Sequence, residues 1–125
     1  MSEKYKSIIE EVNASFVENN LEGFLAHCVD DVEWTMVGEM TVTGKDAIRQ
    51  EMAKMEAEPP KITTDKIVVE GEFATSHGNM TMKDKKGKTV PYSFCDIYRS
   101  RDDKIVEIKA FVIKTEAKGK ASSGA

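Results

Sequence analysis

The chain is 125 residues long, 40% hydrophobic and 7% aromatic, and its 18 Lys+Arg against 22 Asp+Glu leave a net charge of −4. That length supports one domain with a single core and room for one interior pocket, and it excludes mechanisms that need a cleft between two domains. Basic residues interleaved with acids argue against nucleic acid as a partner, and apolar stretches such as 67–69 and 111–113 fall far short of the ~20 residues of a membrane helix.

The segment from Met1 to Ser7 lacks the apolar core of a secretory signal, so a cytoplasmic location is expected. Tyr5, Ile8, Ile9, Val12 and Phe16 then recur at helical spacing among charged residues and predict an amphipathic helix over 3–18. Asn19-Asn20 interrupts it and offers a cap for a short second helix carrying Leu21, Phe24, Leu25 and Cys28, which Asp30-Asp31 ends. From Val32 the period becomes two, with Val32, Trp34 and Met36 alternating against Glu33, Thr35 and Val37, which predicts a strand. Gly38-Glu39 turns the chain into a brief strand over 40–43. A third helix follows Gly44-Lys45-Asp46, carries Ala47, Ile48, Met52 and Met55, and stops before Pro59-Pro60. Four strands complete the chain, over 62–70, 73–83, 89–100 and 105–115, and their connectors are short enough to require antiparallel neighbours. The polar end is expected to fray, giving a single domain over 1–117 and a disordered tail over 118–125.

Helices followed by a long sheet make an α+β domain in which helices cover one sheet face. In the strand from Phe73, Ala74, Ser76, Gly78, Met80 and Met82 share one side, and Thr75, His77, Asn79 and Thr81 the other. The small-plus-Met side is expected to face the helices. In the last strand the uniformly apolar side, Val106, Ile108, Ala110 and Val112, is expected inward. Phe111 and Ile113 are then left outside with Thr75, His77 and Thr81, a mixed apolar patch suited to a homodimer.

Three stretches in order carry a family resemblance: Asn20-Leu21-Glu22-Gly23-Phe24 through Cys28-Val29-Asp30-Asp31-Val32-Glu33-Trp34; Thr43-Gly44-Lys45-Asp46-Ala47-Ile48-Arg49; and Tyr92-Ser93-Phe94-Cys95-Asp96-Ile97-Tyr98-Arg99 with Asp103-Lys104-Ile105-Val106-Glu107. Over about residues 5–113 the chain resembles the nuclear transport factor 2-like superfamily, in its SnoaL-like and ketosteroid-isomerase-like branch, with Asp103 in place of the usual turn glycine. The resemblance implies a cone-shaped, curved antiparallel sheet wrapped around three N-terminal helices, a cystatin-like α+β barrel. It also implies a homodimer and an open end that admits a small hydrophobic ligand. The lining expected for such a cavity is Phe16, Trp34, Met36, Met52, Met80, Phe94, Ala110 and Val112.

Asp96 shares a strand side with Tyr92, Phe94 and Tyr98, which places a carboxyl in an aromatic row. Burial there raises its pKa and keeps it neutral as a hydrogen-bond donor to a carbonyl or enolate oxygen, and the resemblance aligns it with the acid donor of ketosteroid isomerases. The competing reading is an acid paired to a Tyr or Arg, or exposed at the strand end. In the same alignment Met36 stands where those isomerases hold the general base, and Val12 where they hold a donor Tyr. Steroid isomerisation therefore lacks its base. Two function classes remain. One is binding of a small hydrophobic molecule with isomerase- or cyclase-like proton transfer centred on Asp96 and assisted by Tyr98 or Tyr92, with Asp96 hydrogen-bonded to a neighbouring hydroxyl, that of Tyr98 or of a Tyr or Thr across the sheet. The other is a non-catalytic ligand-binding or dimerisation module whose cavity is largely filled by side chains such as Trp34, Met36, Met80 and Met82. No metal site or cofactor is expected: Cys28 and Cys95 form no CxxC pair and read as two buried reduced thiols, His27 and His77 read as surface residues, and no glycine-rich phosphate loop occurs.

Overall fold

A computed structural model describes residues 2–54 and 60–115 of the chain, so Met55 and the expected tail over 118–125 lie outside the described residues. Its elements are α1 (Ser2–Val17), α2 (Leu21–Leu25), β1 (Cys28–Met36), β2 (Met40–Thr43), α3 (Lys45–Lys54), β3 (Lys61–Glu70), β4 (Phe73–Lys83), β5 (Thr89–Arg101) and β6 (Lys104–Lys114). The apolar stripe of α1 buries Tyr5, Ile9 and Val12 in one core with Phe24 and Leu25 of α2, Ile48 of α3, and Val32, Ala74, Tyr98, Ile105 and Ile108 of the sheet. Asn19 takes a left-handed φ of 58° that ends α1, and Asn20 accepts the Gly23 N–H at 3.1 Å as the cap of α2. No helix among the described residues is long and apolar enough to cross a membrane.

The six strands form one curled, unclosed sheet in the order β2-β1-β6-β5-β4-β3, with the helices on its inner side. β1–β2, β3–β4, β4–β5 and β5–β6 pair antiparallel, whereas β1 runs parallel to β6. Their separation in sequence frees that one pair from the short-connector rule.

Two local expectations are corrected. The sheet begins at Cys28 rather than Val32, because Ile105 N–H donates to His27 O at 2.8 Å and Cys28 pairs with Ile105, so α2 ends at Leu25. A ladder bond to a strand almost eighty positions away outweighs the local helical spacing of Cys28. In β6, Ile108 and Ala110 are inward as expected, but Val106 is not. Ser100 N–H leaves the ladder to donate to Glu72 O at 2.9 Å, the register slips between Arg99 and Ser100, and Val106 becomes the extra residue of a bulge. Ile105 takes the inward place at 0% exposure, while Val106 borders an outer groove with Glu33 and Arg99.

A second bulge adds Asp65 to β3 opposite the Gly78 region of β4. A Cβ at Gly78 would collide with the backbone of Thr63 and Thr64, so only glycine admits the bulged strand this closely. The inner side expected for β4 holds: Ala74, Ser76 and Gly78 are buried and Met80 and Met82 half-buried, while His77 and Asn79 are exposed.

Candidate functional site

Strand pairing and the two-residue period assemble the inner face row by row. One row crosses the sheet as Ile67, Ser76, Asp96, Ala110 and Met36. The row on one side of it holds Val69, Ala74, Tyr98, Ile108 and Trp34, and the row on the other side holds Gly78, Phe94 and Val112. Met80 follows beside Tyr92. The folded sheet thus brings six of the eight expected lining residues onto one face around Asp96. Phe16 of α1 and Met52 of α3 pack from the helical side, Phe16 against the Phe24 ring at 4.8 Å.

Asp96 is partly buried, and desolvation by its apolar row raises its carboxyl from 3.8 to about 7. No cation or hydrogen-bond donor among the described residues meets it. The expected bond to Tyr98 is absent: same-side residues two apart on a strand sit about 6.6 Å apart, and Tyr98 is buried in the core. At 1% exposure Tyr98 is sealed beside Tyr5. Burial, then the nearby charges that Asp96, Cys28 and Tyr5 can carry, push its hydroxyl well above 10.

Two buried hydroxyls have no partner among the described residues: Ser76 Oγ, on the residue opposite Asp96, and Tyr5 Oη, near Tyr98. Ser100 lies close enough to Tyr5 to lower its pKa against the effect of burial, without a well-formed hydrogen bond between them. In the sequence, Tyr5 belongs to the apolar stripe of the first helix and Ser76 to the small-plus-Met side of its strand. The available signal was a hydroxyl in an otherwise apolar inward row, and its lack of a partner required tertiary contacts.

The remaining candidates separate cleanly. Val12, at the position where the resemblance puts a donor Tyr, is buried in the core, and Met36 shares the row of Asp96. His27 Nε2 lies 3.1 Å from Glu11 Oε1, and His77 is exposed on the outer face opposite Cys95. Cys28 is buried and its thiol is pushed up to about 12 by desolvation. Cys95 is a correction: it faces outward and is only half-buried, since it alternates with the inward Asp96. No group of three or more His, Cys, Asp or Glu among the described residues can hold a metal ion. The surface grooves are polar, one between α1 and β3 lined by Lys6, Asn13, Thr64 and Asp65, another lined by Asp31, Glu33, Arg99 and Lys104. They lack the apolar lining of a small-molecule site.

The profile of the SnoaL-like domain matches residues 9–108. The chain belongs to the SnoaL-like domain family. Solved structures agree on the fold. A ketosteroid isomerase candidate from Kribbella flavida superposes with a TM-score of 0.79 at 13% identity, covering 98% of this chain and 87% of its own. A polyketide cyclase candidate from Xanthomonas campestris gives 0.75 at 14% identity, with 88% and 90% covered. A nuclear transport factor 2-like protein of unknown function from Cytophaga hutchinsonii gives 0.71 at 23% identity, with 86% and 98% covered. No curated protein matches the chain. The SnoaL-like chain is therefore an α+β cone of the nuclear transport factor 2-like kind.

Proposed function

We propose that this SnoaL-like protein binds a small hydrophobic molecule bearing a carbonyl or enol oxygen in its cone, and that Asp96 donates a proton or hydrogen bond to that oxygen. The observation that carries the reading is a carboxyl without a partner among the described residues, on an apolar inner face, with desolvation raising it to about 7. An acid in such a place is costly unless something meets it. A ligand oxygen would supply the missing partner, and the cyclase and isomerase candidates among the structural relatives suit proton transfer of that type.

A second reading has its own support. The row of Asp96 contains Ile67, Ser76, Ala110 and Met36 and no second carboxylate. Binding without turnover follows where no base reaches the carbon acid.

We also propose a homodimer through the outer face. Val68 and Phe73 are exposed there, and Ile113 is 65% exposed. A light-scattering mass of one chain would remove this part. The free thiols suit a cytoplasmic setting.

The test uses 2-naphthol, whose hydroxyl stands in for an enol, with binding followed through Trp34, the sole tryptophan. Binding is expected to weaken as pH rises through about 7. Asp96→Asn is expected to keep most of the affinity, and Asp96→Ala to lose about tenfold, the order of one hydrogen bond to a buried acid. Equal affinity of wild type and Asp96→Ala, with no pH dependence, would remove Asp96 from the site.

A further inference from the structure

This inference deepens the reading of Asp96 as the working acid and rests on it. Ser76 is 1% exposed, its Oγ has no partner among the described residues, and it stands directly opposite Asp96 in the β4–β5 ladder. Opposed residues on one face of an antiparallel pair hold their Cβ atoms about 4.5–5.5 Å apart. From there a rotation about χ1 brings a serine hydroxyl to a carboxylate oxygen at hydrogen-bond distance. The other neighbours in the row, Ile67 beyond Ser76 and Ala110 beyond Asp96, offer no polar atom.

The groups around Asp96 leave an anion there with few partners. Tyr98 lies on its own strand, with Tyr5 of α1 and Cys28 of β1 beyond it, and all three are held in their neutral forms by burial. Cys95 faces the opposite side of the sheet. No lysine, arginine or histidine among the described residues pairs with Asp96. Once the acid gives up its proton, Ser76 is the hydroxyl directly across from the new charge.

We propose that Ser76 is the positioning residue of Asp96, its hydroxyl turning to donate to the carboxylate when the acid has handed its proton to a bound molecule. In that step the O–H bond of Asp96 breaks, its electron pair stays on the carboxylate, and the proton bonds to the basic atom of the ligand. The Ser76 hydroxyl keeps its own proton throughout. When the proton returns to Asp96, the serine is released. Its lack of a partner in the resting chain is the counterpart of that role, since a hydroxyl bound elsewhere would have to break a bond to serve.

The test is a carbon-13 NMR titration of the Asp96 carboxyl in the full, ligand-free chain with Ser, Cys or Ala at position 76. The expected order of midpoints is Ser lowest, Ser76→Cys intermediate and Ser76→Ala highest, with the acid dissociation constant three- to tenfold smaller in Ser76→Ala than in wild type. Identical midpoints in all three overturn the proposal. A full rise in Tyr98→Phe with none in Ser76→Ala also overturns it. A merely structural role for Ser76 changes the melting temperature and leaves the midpoint in place. Should Ser76→Ala not fold, the near-isosteric Ser76→Cys carries the comparison alone. A midpoint that depends on Ser76 in a chain that binds no 2-naphthol upholds this inference while removing the binding reading.

Discussion

On the outer face of β5, Arg99 reaches Glu107 at 3.1 Å and Glu72 at 3.8 Å, and Ser93 Oγ donates to Asn79 at 3.2 Å. On the inner face of the same strand, among the described residues, Asp96 meets no donor and the opposing Ser76 has no partner. Alternation alone separates the two sets. The outer groups are matched with one another beside solvent, where a mismatch costs little. The inner groups are unmatched where a mismatch costs more, and the proposed site rests on that contrast.

The sharpest way to break this contrast is pH. Asp96 has a folded value near 7 against an ordinary 3.8, so its ionisation favours the unfolded chain. Its contribution to stability is intact below pH 3.8 and is lost as pH rises to about 7, by up to about 4 kcal/mol. Asp96→Asn does not ionise, so it is expected to match wild type in urea melts near pH 3.5 and to exceed it at pH 8. Equal stabilities at pH 8 would mean that the acid is already paired.

Thiol reactivity distinguishes the faces next. Cys28 is inside with its thiol near 12, whereas Cys95 is half-exposed outside. In dilute native protein, Ellman's reagent is expected to label Cys95 at least about a hundredfold faster than Cys28. Loss of that difference in Cys95→Ser, with Cys28 still slow, assigns the fast phase.

Gly78→Ala places a methyl group against the β3 backbone on the inner face and is expected to cost about 1–3 kcal/mol in urea melts. An unchanged midpoint would show that β3 swings away freely. The smallest effect belongs to the matched outer face: Glu107→Gln is expected to lower stability by less than about 1 kcal/mol, and by less again in high salt.

By itself the sequence determined much of this protein. The stripe of Tyr5, Ile9 and Val12, the alternation of Ala74, Ser76 and Gly78 against Thr75, His77 and Asn79, and the aromatic row around Asp96 are properties of residue spacing. Burial of apolar surface enforces that spacing in any sheet covered by helices. Three quoted stretches were enough to place the chain among the SnoaL-like domains. Tertiary structure alone decided the parallel pairing of β1 with β6, the early start of β1 at Cys28, and the bulges that turn Val106 outward and press β3 onto Gly78. It also decided that Asp96 and Ser76 face each other without partners. These depend on hydrogen bonds between residues distant in sequence, such as Ile105 N–H to His27 O and Ser100 N–H to Glu72 O. A local pattern carries no information about which distant carbonyl an amide will find, and a one-residue slip in that choice reverses the face of every side chain beyond it.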